Sequence, residues 1–148
     1  MSQYATFHLG ERLFGLDLLA IREINRNLEI TPVPRARPHV RGLINLRGQI
    51  VTILDLGVRL GLPRQEIGPD SHNIILKAGG EGLEDQSAAD LVGLLVDAIG
   101  DVAEAFDAVP EPPSANVGEA EGRFLAGVVR TEAGLLVLPD LHEVLADD

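Results

Sequence analysis

The feature that most constrains this chain is that it repeats itself. Gly15-Leu-Asp-Leu-Leu-Ala-Ile-Arg-Glu-Ile24 lies without gaps over Gly93-Leu-Leu-Val-Asp-Ala-Ile-Gly-Asp-Val102, with Gly, Leu, Ala and Ile coinciding and Glu23 falling on Asp101. At the same offset Pro32 and Pro34 fall on Pro110 and Pro112. A second gapless match sets Gly42–Leu60 on Gly127–Leu145, where Gly42 meets Gly127, Asp55-Leu56 meets Asp140-Leu141 and Leu60 meets Leu145. Two matches in the same order point to an internal duplication, and so to two similar units packed about a pseudo-twofold axis. Each unit holds about 70 residues, too few for a comfortable core alone, so the two should share apolar surface. The expectation is one domain over 1–148, with a first subdomain around 1–70, a second around 71–148, and exchange of terminal strands between them allowed. A groove between the units is the natural binding site.

Within each unit the pattern is short strands punctuated by Gly and Pro. Tyr4–Leu9 and Leu13–Asp17 form a hairpin about Gly10-Glu11-Arg12, as alternating apolar runs around a glycine turn do. Leu18–Ile24 fits a short helix or a strand, Thr31-Pro32-Val33-Pro34 is extended, and Pro38–Leu46 reads as a short helix or turn. Arg47-Gly48 is a tight turn into the apolar run Gln49–Leu56; Val58–Leu62 is ambiguous. Asn73–Lys77 and Leu91–Asp97 are strands, with Ala98–Phe106 continuing the latter across a bend at Gly100. Phe124–Val129 and Leu135–Leu138 make a second hairpin about Glu132-Ala133-Gly134. Pro139 opens a short C-terminal helix over Asp140–Ala146. Gly79–Asp90 and Val109–Gly122 are loops, the first rich in Gly and acid.

Composition narrows what such a β-rich chain can do. It has four Phe, one Tyr and no Trp, so the core is aliphatic and base-stacking platforms are nearly unavailable. A net charge of −11 repels nucleic acid and anionic membrane surfaces. Cysteine is absent, which removes disulfides, thiolate nucleophiles and Cys-ligated zinc and fits a reducing cytoplasm. No basic-then-apolar leader opens the chain, and no apolar run reaches bilayer-spanning length. A cytoplasmic protein without membrane insertion is expected.

Nothing asks for an enzyme. His8, His39, His72 and His142 lack the spacing of a zinc site. Gly79-Gly80-Glu81-Gly82 has no following lysine and carries acids that repel phosphate. Ser2, Ser71, Ser87 and Ser114 sit outside any nucleophile elbow, Glu119 and Glu121 read as solubilising, and no calcium loop is present. No catalytic residue, metal or cofactor is assigned. Two charges do stand out among apolar neighbours. Glu23 lies between Ile21 and Ile24, and Arg47 follows Gly42-Leu-Ile-Asn-Leu46. They read either as exposed edge residues or as a partly buried ion pair that fixes the turn at Gly48. Arg35, Arg37 and Arg41 read as a solvated turn or as a basic patch for an acidic partner.

Three blocks resemble a known family. Phe7-His-Leu-Gly-Glu-Arg-Leu-Phe-Gly-Leu-Asp17, Ile21-Arg-Glu-Ile24 and Ile30-Thr-Pro-Val-Pro34 resemble the opening of the CheW-like bacterial chemotaxis coupling proteins. Val40-Arg-Gly-Leu-Ile-Asn-Leu-Arg-Gly-Gln-Ile-Val51, with Asp55-Leu56 and Arg59-Leu60-Gly61, is similar to the family's most specific signature, and Gly93–Asp97 with Asp101-Val102 to a later block. The resemblance implies an all-β fold of two small SH3-like five-stranded barrels and a non-enzymatic adaptor. Its partners would be the regulatory domain of a CheA-type histidine kinase and the cytoplasmic tip of chemoreceptors. By the same resemblance Glu23 and Arg47 match an acid and an arginine linked to structure and receptor coupling. Ile21, Gly42, Asn45 and Leu46 match positions in or beside the receptor-facing surface, and the inter-barrel groove would accept the apolar face of a receptor helix pair. Thr52, where the family commonly has proline, and Gly57, where it often has a charge, depart from the pattern. Two rival readings are a specialised homologue that binds receptors but not kinase, and a small-ligand-binding β-barrel.

Overall fold

Short alternating runs separated by glycine turns dictate hairpins, and hairpins are what the chain forms. The computed structural model describes residues 2–77, 91–105, 116–117, 120–132 and 134–146. Strands β1 (Ser2–Leu9) and β2 (Arg12–Asp17) pair about Gly10, and a 3-10 turn over Leu18–Ala20 leads into β3 (Ile21–Asn25). Then come β4 (Val40–Leu46), β5 (Gln49–Asp55) and a single helical turn, α1 (Leu56–Arg59). The second pass along the chain gives β6 (His72–Leu76), β7 (Leu91–Val96), β8 (Ala98–Ala105), the two-residue strands β9 (Asn116–Val117) and β10 (Ala120–Glu121), β11 (Leu125–Thr131), β12 (Gly134–Pro139) and α2 (Leu141–Val144). The expectations for Gly79–Asp90, and for most of Val109–Gly122, fall outside the described residues.

Two five-stranded sheets result. One closes as a barrel in the order β1-β2-β12-β11-β8; the other runs β3-β6-β7-β5-β4. They are SH3-like and related by the pseudo-twofold. Each draws two strands from one copy of the repeat and three from the other, because β1-β2 corresponds to β6-β7 while β3, β4 and β5 correspond to β8, β11 and β12. The equivalence extends to single residues. Val137 lies opposite Phe14 in one parallel pair, and its counterpart Thr52 lies opposite Val92 in the other. Asp55 and Asp140 both cap the helical turn that follows, accepting from Val58 N at 3.1 Å and Glu143 N at 3.2 Å. Their own amides donate to His39 O and Phe124 O, again equivalent positions.

The core matches the need for shared apolar surface. Its main cluster takes Phe7, Leu9, Phe14 and Leu16 from the closed barrel and Leu54, Leu56, Leu60, Ile74, Leu94 and Val96 from the second. The few aromatics concentrate there: Phe7 and Phe14 stack with centroids 6.0 Å apart, and Phe124 joins the same cluster. Smaller clusters fill each sheet's interior, Ile44, Val51, Ile53 and Ile75 in one and Tyr4, Ala105 and Leu136 in the other. Arg59 ties α1 to α2 across the two units. It donates to the carbonyls of Val144 (2.9 Å), Glu143 (3.1 Å) and Ala146 (2.7 Å) and lies 4.8 Å from the Phe124 ring centroid.

Two expectations need correction. Val40–Leu46 is a strand, not a helix or turn: Gly42, Ile44 and Leu46 are buried on alternate positions, the period-two pattern of a half-buried strand. Pro139 ends β12 and does not sit in the helix, whose cap is Asp140.

Candidate functional site

The second sheet has two edges, β3 and β4, and side chains bridge them where backbone pairing does not. Arg47 Nη2 donates to Glu23 Oε1, Arg22 Nη2 to Gln49 Oε1 (3.4 Å), and Asn27 Nδ2 to the Asn45 carbonyl (3.1 Å). The geometry starts at the β4–β5 turn. Arg47 and Gly48 both take positive φ, 51° and 88°, which is the two-residue turn whose twist suits a hairpin. Gly48 N donates to Asn45 Oδ1 at 2.8 Å. The turn is therefore fixed by Asn45 and by the backbone of Arg47, in a conformation that non-glycine residues seldom adopt. Arg47's side chain is left to reach across the seam.

Glu23 and Arg47 meet, but at the surface. Their side chains are 25% and 66% exposed, so Glu23 is partly buried while Arg47 stands in solvent, and Asn45, not the ion pair, holds the Gly48 amide. The hydrogen bond from Arg47, against a smaller opposing effect of burial, lowers the Glu23 carboxyl below the ordinary glutamate value. The same bond raises Arg47. The buried pair in this sheet is a different one: Arg41 Nε lies 2.8 Å from Asp55 Oδ2, with side chains 11% and 10% exposed, and Arg41 Nη2 also donates to Gln65 O. Arg41 thus fits neither reading of Arg35, Arg37 and Arg41, a solvated turn or a basic patch, because the β-bulge between Val40 and Gly42 turns its side chain inward.

Gly42 and Leu46 shape this face from beneath. A Cβ on Gly42 (φ +145°) would stand 2.1 Å from the Thr31 carbonyl oxygen, and the bare Cα lets Thr31 and Leu43 exchange two 2.8 Å backbone hydrogen bonds. Leu46 belongs to the sheet's interior cluster, and Ile21 is half-buried against the shared core. Of the six residues singled out in the sequence, Glu23, Asn45 and Arg47 therefore present polar atoms at the seam, while Ile21, Gly42 and Leu46 support them. Sequence reasoning missed Ile50, which is 53% exposed opposite Asn45, and Ile24, exposed beside Glu23. Ile24 adjoins Glu23 in the sequence, but Ile50 carries no such signal, because the run Gln49–Leu56 reads as uniformly buried until its register is known.

The groove between the units is a separate feature. It has about 840 Å³ and is lined by the β1–β2 turn, α1 and the loop after it, and Val128, Leu135 and Val137. None of the six residues lines it. Its Asp55 is held by Arg41, and its Asp97 accepts from Gly10 N at 2.6 Å, so both carboxylates are engaged in structure. Among the described residues no group of three or more His, Asp or Glu side chains gathers as metal ligands, and no helix is long and apolar enough to cross a membrane.

Known proteins share this architecture. The family model for the CheW-like domain matches residues 3–148. Chemotaxis protein CheW of Rhizobium meliloti is 32% identical over 142 residues, covering 96% of this chain and 86% of that protein. Chemotaxis protein CheW of Treponema pallidum is 32% identical over 97% of this chain and 82% of its own length. Among solved structures, the scaffolding protein TtCheW from Thermoanaerobacter tengcongensis superposes with a TM-score of 0.82 at 28% identity, covering 99% of this chain and 89% of that one. With the family model spanning both barrels and the seam alike, the chain belongs to the CheW-like family, whose members are non-catalytic chemotaxis adaptors.

Proposed function

We propose that this protein couples the cytoplasmic tip of bacterial chemoreceptors to the regulatory domain of a CheA-type histidine kinase, in cytoplasmic arrays beneath the receptors. Coupling of this kind holds two partners in fixed geometry, so that a small movement in one biases the active state of the other. Each contact can be weak where an array supplies avidity. The observation that carries the reading is the seam between β3 and the β4–β5 turn. There Glu23, Asn45 and Arg47 gather, with the exposed Ile50 paired to Asn45, an apolar anchor among oriented polar groups of the kind that suits an amphipathic helix pair. A catalytic or small-ligand reading would use the inter-barrel groove, where Asp55 and Asp97 are already bonded.

Paired titration calorimetry tests the proposal, with the kinase regulatory domain in one experiment and a receptor-tip fragment in the other, at about 100 μM, where weak signalling contacts register. Binding to both, with a ternary complex, is expected. Arg47→Glu should weaken receptor binding at least tenfold while the fold stays intact by circular dichroism. Binding to the receptor fragment alone would make the chain a specialised homologue lacking the kinase contact. Binding to neither would overturn the proposal and return attention to the groove.

A further inference from the structure

Among the positions where the two copies of the repeat differ, one lies at a cleft in the closed barrel. In the second sheet, the bulge between Val40 and Gly42 aims Arg41 onto Asp55, the cap of α1. In the closed barrel the equivalent bulge lies between Leu125 and Gly127, but the residue in it is Ala126. Its counterpart carboxylate, Asp140, caps α2 through Oδ1 in the same way that Asp55 caps α1. All twelve Lys and Arg residues lie among the described residues, and none of them pairs with Asp140. Ala126 and Asp140 line a cleft of about 670 Å³ together with Asp17, whose Oδ1 accepts from Leu19 N at 2.9 Å. Leu19, at its rim, is 78% exposed.

From this internal comparison we infer that the cleft is a docking site for an arginine side chain of a partner protein, presented beside an apolar residue that covers Leu19. The occupant is specified by the molecule's own other half: a guanidinium on the helix-capping aspartate, entering from the bulge side. Arginine is favoured over lysine because its planar fork can bond one carboxylate while spanning toward a second, here Asp17. The net charge of −11 draws basic segments toward the surface in general; the apolar wall and two carboxylates select among them. The inference goes beyond receptor and kinase coupling and uses none of the seam residues.

The test uses the full chain and two probes, acetyl-Leu-Arg-Leu amide and the same peptide with neutral, isosteric citrulline in place of arginine. Backbone amide NMR should show saturable shifts at residues 15–20, 126 and 138–142 with the arginine peptide. Affinity should fall at least tenfold with citrulline. Asp140→Asn keeps the cap and removes the charge, and it should weaken arginine binding by a similar factor. Ala126→Arg supplies the missing guanidinium in cis; it should raise the thermal midpoint, lose that gain when combined with Asp140→Asn, and block the peptide. Equal binding of both peptides, shifts that persist in Asp140→Asn, no saturable shift at all, or an Ala126→Arg variant whose midpoint ignores Asp140→Asn would each overturn the inference.

Discussion

The two barrels follow one five-strand plan yet finish it differently. The first closes on itself, with β8 reaching β11 through Ala105 and Thr131. The second stops at β3 and β4 and is joined across the gap by Arg47–Glu23, Arg22–Gln49 and Asn27–Asn45. Backbone ladders are cooperative and hard to remodel, whereas exposed side-chain contacts form and break at little free-energy difference. The closed barrel is therefore suited to be a support and the bridged one a surface that responds to a partner. Duplication supplied the shared frame, and divergence at a few side chains supplied the asymmetry.

The largest way to break this comparison is to disturb what covers the open edge. Gly42→Ala places a methyl 2.1 Å from the Thr31 carbonyl oxygen at φ +145°, so either Thr31 leaves β4 or the strand bends. A loss of about 3 kcal/mol or more is expected in denaturant unfolding. Hydrogen exchange should accelerate first at Leu43, whose amide bonds Thr31. Gly48→Ala is the control: its Cβ meets nothing within 4 Å, so only backbone strain remains, about 1 kcal/mol. Equal losses in the two variants would show that Thr31's seat on β4 contributes nothing.

The next largest effect compares the same motif in each barrel. Asp55→Asn keeps the cap but leaves Arg41, only 11% exposed, with no opposite charge. Removing one partner of so buried a pair costs about 3 kcal/mol. Asp140→Asn changes a half-exposed carboxylate that has no paired cation among the described residues, and should shift stability by no more than about 0.5 kcal/mol. Chemical denaturation of both variants gives the contrast directly. Similar losses would mean that Arg41 adds nothing to Asp55 beyond the cap.

How much of this was legible in the sequence follows from what each feature depends on. The helix-capping pair Asp55 and Asp140 and the bulge glycines Gly42 and Gly127 were visible because duplication writes them twice, at one offset. The hairpins were visible because glycine turns separate short apolar runs. Strand β4 was misread because Pro38 and Gly42 look like turn residues. Only the bulge and the Thr31 contact reveal that Gly42 serves a strand there. Arg41 was placed on the surface because charge alone predicts exposure; its inward turn depends on that same bulge, which single-sequence periodicity does not register. The pairing of Glu23 with Arg47 could be guessed from their apolar neighbours, but its exposure could not, since that depends on β3 and β4 being the two edges of one sheet.

The smallest effect sharpens the comparison most. Glu23→Gln removes one charge from the seam and keeps a side chain of the same shape. The folded carboxyl lies below its ordinary value of 4.5, mainly because Arg47 bonds its ionised form. The pair's stabilisation is thus fully present above that ordinary value and is lost as pH falls through the lowered one. Wild type should exceed Glu23→Gln in thermal midpoint by a small margin at neutral pH, and the margin should vanish as pH falls through the lowered value. It should also shrink with added salt, because Arg47 is 66% exposed and screening acts on such pairs. A margin that persists unchanged in acid would place its origin in packing of the Glu23 stem and not in the ion pair. If the margin titrates as expected and the variant also binds the receptor-tip fragment more weakly, then the bridge that closes the second barrel is the element a partner reads. A variant that loses the acid-sensitive margin but binds normally would leave the seam a purely structural closure.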